Sequence, residues 1–485
     1  MADRRALLRQ TADLAADFLE GLDERPVRAR ATHDELVASM GGPLPARGEA
    51  AGEVVSELAR VADPGLIASA GPRYFGFVIG GSLPSALSAD WLTSAWDNNA
   101  GLYAIGPSAS VAEEVAGGWL IELFGLPADS SIGFSTGATM ASFTALAAGR
   151  HRVLERLGWN VEEDGLQGAP EIAVVVGAEA HVTIHVSLQM LGLGRNRVVR
   201  VAADGQGRMR PDGLRETLAQ LRDRPVLVCA QSGNVNTGGF DPLPEIVAAV
   251  RELPNAWLHV DGAFGLWAAV SPKLRELTAG LADADSWTTD AHKWLNVPYD
   301  SGIAIVRDKA AHHAAMTLGA AYYVETQGAE RDPYNWVAES SRRARGFAIY
   351  AALRELGRDG LAAMIDRCCA LARRMAEGLR DAPGVTILND VVLNQVLVRF
   401  APPSADGSGE PNPASVDAFT RDVIAAVQAD GTCWLGGTTW HGMAAMRISV
   451  SNWSTTEADA DLSVAAIRRC AAALAERPSM IAATT

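Results

Sequence analysis

One lysine lies in a largely uncharged stretch of the chain, the segment Asp290-Ala-His-Lys293-Trp-Leu-Asn296. A short apolar run, Gly302-Ile-Ala-Ile-Val306, follows and has the composition of a buried strand. Burying an ammonium group is costly unless the group is neutralised, paired or used covalently. A lysine in such a place commonly packs its stem and extends its ammonium to solvent. Lys293 is therefore a candidate for covalent chemistry only if other residues support it.

A second residue, Asp261, ends the apolar run Trp257-Leu-His-Val-Asp261, 32 residues before Lys293. Ligands of α/β sheets bind at the carboxyl ends of strands, where this carboxylate is expected to project. Taken alone, the aspartate is better interpreted as a helix cap. Together with a lysine it has a more specific use, because an aspartate can keep a pyridine nitrogen protonated while a lysine binds an aldehyde. The pair favours pyridoxal 5′-phosphate as the cofactor.

Two further segments contain candidate ligands for the same cofactor. The small residues of Gly133-Phe-Ser-Thr-Gly137-Ala138-Thr-Met-Ala-Ser142 open a helix. Backbone N–H groups at a helix N-terminus bind phosphate, although the same pattern also makes an ordinary strand-to-helix turn. His181 follows an apolar strand, where a histidine is more often structural; in a cofactor site its ring would stack on the pyridine. The order of the four elements along the chain places them at one edge of a sheet.

The elements that must position these residues alternate along the chain. Between about residues 110 and 310, short apolar runs such as 172–176, 226–228 and 257–260 alternate with helical stretches, which predicts a parallel sheet covered by helices. We predict three regions: a helical N-terminal segment over 1–70, a large cofactor-binding domain over 71–345 and a small C-terminal α+β domain over 346–485.

Composition and charge exclude several classes of protein. The 485 residues are 48% hydrophobic and 20% charged, as in ordinary soluble α/β proteins. A formal net charge of −15, spread over the chain, argues against a nucleic-acid or anionic-membrane partner. No apolar run approaches the roughly 18 residues of a membrane span, and the N-terminus lacks a secretory pattern, so we expect a cytoplasmic protein. Five cysteines without repeated spacing predict neither a disulfide framework nor a metal site.

These residues together resemble the group II pyridoxal-phosphate decarboxylases, the family of aromatic amino acid, glutamate, histidine and diaminobutyrate decarboxylases. The resemblance runs from about Gly71 to Glu457 and is most specific in Asp290-Ala-His-Lys-Trp294 and His259-Val-Asp261-Gly-Ala263. It implies fold-type I of the pyridoxal-phosphate enzymes, an aspartate aminotransferase-like α/β fold with a mainly parallel central sheet. It also implies a homodimer, in which a loop of the partner completes each site.

The resemblance assigns a role to each candidate residue. Lys293 would bind the cofactor as a Schiff base, Asp261 pair with the pyridine nitrogen and His181 stack on the ring. Ala263 would pack beneath the ring, and Gly137, Ala138 and His292 would surround the phosphate. Arg447 and Asn234 would bind the substrate. Tyr334, in a polar stretch between Gly319 and Arg342 that could form a lid, would be the catalytic tyrosine beside Lys293, His181 and His292.

Three departures from the family pattern leave the reaction type open. Gly233-Asn234-Val235 stands for the usual Gly-Thr-Thr, Asp290-Ala for the frequent Asn-Pro, and Met140 for a frequent glutamate. Decarboxylation of an L-amino acid is the function that the resemblance favours. The alternatives are retro-aldol carbon–carbon cleavage, as in sphingosine phosphate lyase, and aminotransferase or aldehyde-forming chemistry. A non-catalytic scaffold is disfavoured by the presence of Lys293, Asp261 and His181.

Four aromatic residues upstream of the glycine loop could line an aromatic substrate pocket. They are Phe77, Trp91, Trp96 and Tyr103. Because large apolar side chains are most often buried, we interpret them as core residues. The substrate side chain is therefore not predicted.

Overall fold

A computed structural model describes residues 3–317, 330–403 and 412–476 of the chain. Its strands are β1 (Ser131–Ser135), β2 (Ala173–Gly177), β3 (Val199–Val201), β4 (Val226–Gln231), β5 (Ala256–Asp261), β6 (Ser286–Asp290), β7 (Gly302–Val306), β8 (Val385–Ile387), β9 (Gln395–Phe400), β10 (Gly436–Trp440) and β11 (Met443–Ser449). Strands β1 to β7 form one sheet and β8 to β11 another.

The helices precede, separate and follow these strands. They are α1 (Arg4–Glu20), α2 (His33–Met40), α3 (Ala51–Ala62), α4 (Pro84–Trp96), α5 (Pro107–Phe124), α6 (Ala138–Glu155), α7 (Val161–Asp164), α8 (Val182–Met190), α9 (Pro211–Ala219), α10 (Leu243–Arg251), α11 (Ala291–Trp294), α12 (Lys309–Met316), α13 (Gly346–Arg380), α14 (Pro413–Asp430) and α15 (Glu457–Ala475). The chain divides into two compact units, residues 80–370 with 389–395, and residues 1–79 with 371–388 and 396–485.

The seven-stranded sheet has the order β1-β7-β6-β5-β4-β2-β3. Strand β7 pairs antiparallel with both β1 and β6, and the pairs from β6 through to β3 are parallel. Because β7 is reversed between them, β1 and β6 run in the same direction. The carboxyl ends of β1, β2, β4, β5 and β6 therefore lie at one edge, and the predicted mainly parallel sheet is confirmed.

Strand and helix packing follow from the side chains on each face. Every residue of β2, β4 and β5 is buried, as expected for strands covered by helices on both faces. Helix α6 approaches the sheet closely because its inner face consists largely of small residues. A Cβ atom at Gly149 would lie 2.8 Å from Cδ1 of Trp257 on β5, so only glycine permits this packing. The position of α6 sets that of the glycine loop at its N-terminus.

The second unit combines the N-terminal helices with the smaller sheet. Strands β8 to β11 form the order β10-β11-β9-β8, in which β10 and β11 pair antiparallel, as do β8 and β9. The segment after α3 joins this unit through Tyr74, whose ring stacks on Trp434 with centroids 5.0 Å apart, and through the Phe75 amide, which donates to the Trp434 carbonyl. Helices α1 to α3 thus belong to the same compact unit as β8 to β11, and the predicted division into three regions stays a prediction.

The interpretation of the upstream aromatic residues as core was wrong for three of the four. Phe77, Trp91 and Trp96 have 62%, 41% and 51% of their surface exposed. Periodicity alone did not reveal this, since an exposed apolar face and a buried one have the same pattern in a sequence.

All five cysteines are buried. Within the described ranges no helix has the length and hydropathy needed to cross a membrane.

A buried ion pair ties α5 to the segment that follows residue 330. The guanidinium of Arg342, fully buried, lies 2.6 Å from the carboxylate of Glu113 on α5. Arg342 also donates to the carbonyls of Ala100 and Phe134, at 2.9 and 2.6 Å, and so reaches β1. Arg331 is buried nearby, and burial lowers its pKa to about 10. This arrangement concentrates positive charge around one carboxylate, which makes Glu113 the compensating group.

We predict that Glu113→Gln destabilises the protein by about 3–5 kcal/mol, because it leaves the Arg342 guanidinium buried without a counter-charge. Urea unfolding midpoints of the variant and the parent protein measure the change. Asp90→Asn is the matched control, since Asp90 pairs with the neighbouring Arg343 where both side chains are partly exposed. The control should change stability by less than about 1 kcal/mol. Equal shifts in the two variants would contradict the prediction.

Candidate active site

The carboxyl end of β6 carries the candidate lysine. Strand β6 ends at Asp290, and the short helix α11 then presents Lys293, whose Nζ lies 2.9 Å from Oδ2 of Asp290. The Asp290 side chain is 3% exposed and that of Lys293 is 19% exposed. On the opposite side, Gly80 packs against the Lys293 backbone, because a Cβ atom at Gly80 would lie 2.0 Å from the Lys293 carbonyl oxygen. The lysine is thus held in a partly buried, polar position at the sheet edge.

The glycine loop after β1 reaches the same point. The Ala138 amide, the first of helix α6, donates to Oδ1 of Asp290 at 2.6 Å. The loop crosses the start of β7, where Gly302 pairs with both Ser135 and Asp290. A Cβ atom at Gly302 would lie 2.3–2.6 Å from the Gly137 backbone, so this crossing requires glycine.

Asp261 lies beside this group, at the end of β5. Its Oδ1 accepts from the Ala263 amide at 3.1 Å, and the Ala263 carbonyl accepts from the Asp290 amide at 2.9 Å. Burial raises the pKa of Asp261, while the charges of His181 and Lys293 act in the opposite direction. The raised pKa is expected of a carboxylate whose cationic partner is a ligand and not a neighbouring side chain.

His181 begins helix α8 and faces Asp261 across a small cavity. Its Nδ1 accepts from the Thr183 amide at 3.4 Å and lies 2.8 Å from the Thr183 hydroxyl, so the ring acts as the N-cap of α8. His181 and Asp261 both line the cavity, together with Cys229 and Gln231 of β4. The cap fixes the ring next to the predicted pyridine partner.

The hydrogen bond to the His292 ring is compatible with only one neutral tautomer of this residue. Its Nδ1 accepts from the Ser301 amide at 3.1 Å, so the ring proton of the neutral histidine is on Nε2, which lies 3.6 Å from Oδ1 of Asp290. Burial lowers the pKa of His292. Tyr299, which sequence reasoning missed, stacks on this ring with centroids 4.3 Å apart. The ring therefore offers an N–H donor toward the position of Asp290.

The structure does not bring all predicted substrate residues into this group. The Asn234 side chain bonds to its own loop, accepting from the amides of Asn236 and Thr237 at 2.9 and 3.2 Å, and donates to the Glu179 carbonyl at 3.4 Å. Arg447 belongs to the other compact unit, on β11 opposite Gly436, and burial lowers its pKa. Their roles in substrate binding stay predictions.

Tyr334 lies in the short 3-10 helix Pro333–Trp336 and is buried. Its amide donates to the Gly101 carbonyl at 2.9 Å, and the preceding Asp332 accepts from the Tyr103 amide at 2.8 Å. The backbone of this part of the predicted lid is therefore anchored. Residues 318–329, which form the first part of the predicted lid and include a second tyrosine, Tyr323, lie outside the described residues.

Asp290 is the central residue that sequence reasoning missed. It was noted only as a departure from an asparagine, yet its carboxylate contacts Lys293 and the Ala138 amide. The spacing of three residues between Asp290 and Lys293 at a strand-to-helix junction was the available signal, because residues i and i+3 of a helical turn are neighbours.

The number of lysines independently supports Lys293 as the reactive amine. The whole chain contains three lysines, Lys273, Lys293 and Lys309. Lys273 is 78% exposed and pairs with Asp366, whereas Lys309 lies on α12, over the Trp336 ring. Of the three, only Lys293 lies at the carboxyl edge beside Asp261.

The residues at this edge fit pyridoxal phosphate. The first-turn amides of an α-helix have no acceptor within the helix, and the N-cap residue of α6, Gly137, provides no side-chain cap. The Ala138 amide in this turn already binds the Asp290 carboxylate. Such amides suit a phosphate group. Lys293 supplies an amine for the aldehyde, and Asp261 a buried carboxylate for the ring nitrogen. The fold and this site fit the pyridoxal-phosphate proteins of fold-type I.

Comparison with known proteins identifies the family. Residues 36–401 match the family described as "Pyridoxal-dependent decarboxylase conserved domain". The chain belongs to the pyridoxal-dependent decarboxylase family, and its cofactor is pyridoxal 5′-phosphate. The predicted family resemblance, fold and cofactor are confirmed.

Several relatives and solved structures are similar over most of this chain. It is 30% identical to the acidic amino acid decarboxylase GADL1 of Mus musculus over 69% of this chain and 61% of that protein. It is 31% identical to L-2,4-diaminobutyrate decarboxylase of Rhizobium meliloti (strain 1021) over 76% and 72% of the two chains. The crystal structure of Oryza sativa TDC with PLP and tryptamine has a TM-score of 0.90, at 21% identity over 98% and 99% of the chains. The alignments span 61–64% of the GADL1 proteins of mouse, cattle and human.

We predict that Lys293→Ala abolishes both turnover and the visible absorbance of the lysine-bound cofactor, because no other lysine lies beside Asp261. Borohydride reduction followed by peptide mapping measures the attachment site. Lys273→Ala and Lys309→Ala are the controls and should retain the label on Lys293. Label on Lys273 or Lys309 in the parent protein would refute the assignment.

A second prediction is that Asp261→Asn lowers kcat far more than it raises the Kd for substrate, because the ring nitrogen loses the charge that keeps it protonated. The lost charge-assisted hydrogen bond corresponds to about 1.5–3 kcal/mol. Steady-state kinetics and binding titrations measure the two effects. Asp308→Asn is the control, since Asp308 caps α12 after the carboxyl end of the reversed strand β7. Near-normal turnover in Asp261→Asn would show that Asp261 is only structural.

Proposed function

We propose that the protein is a decarboxylase of L-amino acids that uses Lys293 as the covalent anchor of pyridoxal phosphate. The observation that carries this proposal is the placement of Lys293, Asp261 and His181 at one sheet edge in a chain of this family. Relatives of the chain carry the names acidic amino acid decarboxylase, diaminobutyrate decarboxylase and aromatic-L-amino-acid decarboxylase. These names support an amino acid as the substrate.

Each residue of the site contributes to the reaction in a different way. When bound, pyridoxal phosphate supplies an electron sink for the bond that breaks at the substrate Cα. Lys293 would hold the aldehyde of the cofactor, and Asp261 would hold a proton on its ring nitrogen. His181, fixed as the cap of α8, would pack against the ring. Gly137, Ala138 and His292 would bind the phosphate, and Ala263 would pack beneath the ring.

The substrate carboxylate must be held perpendicular to the conjugated plane for carbon dioxide to leave. We propose Arg447 for this contact, because a half-buried guanidinium whose pKa is lowered by desolvation gains from a carboxylate partner. Asn234 would then act mainly through its loop, since its amide group already bonds to three backbone groups.

A homodimer is the assembly that we propose. Apolar side chains on α4 and α5 support it, because Trp91, Leu92, Trp96, Val111 and Val115 are between 36% and 51% exposed. Apolar surface of this extent commonly marks an association site. Light scattering at assay concentration distinguishes the dimer from a monomer. We also propose a cytoplasmic location, which the low number of cysteines, five in 485 residues, supports.

Tyr334 is proposed as the group that returns a proton to the substrate Cα after carbon dioxide leaves. Its burial supports a sheltered role more than one at the surface. A phenol can supply this proton only within hydrogen-bond distance of Cα, in a space that excludes water. In the proposed dimer, that Cα could belong to either subunit's site.

We predict that the purified protein releases carbon dioxide and the corresponding amine from at least one L-amino acid. A panel of acidic, basic and aromatic amino acids, assayed for carbon dioxide and for products, is the test. Carbon–carbon cleavage or transamination without carbon dioxide would refute decarboxylation.

Tyr334→Phe should retain substrate binding, lose amine formation and form aldehyde with ammonia under air.

Tyr350→Phe is the matched control for Tyr334→Phe, because the Tyr350 hydroxyl accepts from Arg354 on the same helix, α13. The control should form amine at the parental rate. If Tyr334→Phe also forms amine at that rate, without aldehyde, Tyr334 is not the proton donor.

A further inference from the structure

Asp290 places a negative charge among the groups that the cofactor needs. Its Oδ1 accepts from the Ala138 amide at 2.6 Å, and its Oδ2 lies 2.9 Å from Lys293 Nζ. The Nε2–H of His292 lies 3.6 Å from Oδ1. Three donors from two chain segments thus converge on one carboxylate that is almost fully buried.

The same donors have a second use in the proposed reaction. The Ala138 amide and His292 are the proposed phosphate ligands, and Lys293 is the proposed anchor for the aldehyde. A phosphate group bound there would lie next to the carboxylate of Asp290. Phosphate esters carry about −1.5 to −2 charges near neutral pH. The two anions would repel each other and compete for the Ala138 amide.

Other charges around Asp290 do not cancel this repulsion. Asp261 is a second buried carboxylate, on which the charge of Asp290 acts. Lys293 provides one positive charge, and burial favours the neutral form of His292. Asp300 also acts on His292, although it pairs with Arg345 at 2.7 Å. Two carboxyl groups, those of Asp261 and Asp290, thus lie near one lysine, and a bound phosphate would add a further anion beside them.

We propose that Asp290 is a specificity-determining residue that limits the affinity of the protein for the phosphate group of its cofactor. The carboxylate competes with the phosphate for the Ala138 amide. With an uncharged residue of the same shape at this position, the protein would bind the cofactor more tightly. The proposal rests on the pyridoxal-phosphate function given above and goes beyond it, since it concerns how strongly the cofactor is retained.

The experiment compares Asp290→Asn with the parent protein in the Lys293→Ala background, where covalent attachment does not contribute. Equilibrium titrations give the Kd for pyridoxal phosphate and for pyridoxal, which lacks the phosphate. We expect Asp290→Asn to lower the Kd for pyridoxal phosphate about tenfold, because removing a like charge within about 4–6 Å has effects of this size. The Kd for pyridoxal should change by less than about twofold, because pyridoxal has no phosphate group for the Asp290 charge to repel.

Asp300→Asn is the matched control, because it removes a nearby negative charge that contacts neither Ala138 nor Lys293. It should leave both Kd values close to those of the parent protein. An unchanged or higher Kd for pyridoxal phosphate in Asp290→Asn, or an equal decrease for pyridoxal, would overturn the proposal. Absence of pyridoxal phosphate binding by every variant and by the parent protein would instead refute the proposed function.

Discussion

The hydrogen bond from the Ala138 amide to the Asp290 carboxylate determines the geometry of the whole site. It joins the N-terminus of α6 to the end of β6, across the start of β7. Without a side chain at Gly302, the glycine loop can cross that strand and reach Asp290. Lys293 then follows within one helical turn. The proposed phosphate-binding amides and the proposed reactive amine are therefore positioned by the same contact.

Buried charges in this part of the molecule are compensated in two different ways. The Arg342–Glu113 pair is satisfied internally, with additional bonds to the carbonyls of Ala100 and Phe134. Asp261 and Asp290, in contrast, share the single positive charge of Lys293. Burial without full compensation is expected where a ligand supplies the missing partner. The first arrangement holds the scaffold. In the second, Asp261 suits the proposed cationic ring nitrogen, whereas Asp290 opposes the proposed phosphate.

A closely similar fold is possible at low sequence identity because it depends on backbone features more than on particular side chains. At 21% identity the chain superposes on a solved structure with a TM-score of 0.90. The amides of α6, the strand ends and the glycine crossings are backbone features, which many sequences can provide. Departures such as Asp290 in place of asparagine can then alter affinity without altering the fold.

The sequence alone was sufficient to predict the class of fold, the cofactor and the order of Gly137, His181, Asp261 and Lys293 along one edge. These features depend on local patterns, namely apolar strands, helix starts and the residues directly after them. Only the tertiary structure revealed that Asp290 contacts Ala138, a residue 152 positions away, and that Tyr334 is buried with an anchored backbone. It also showed that Phe77, Trp91 and Trp96 are exposed. Such contacts depend on which strand is inserted between two others and in which direction, and no periodicity within a single segment records that choice.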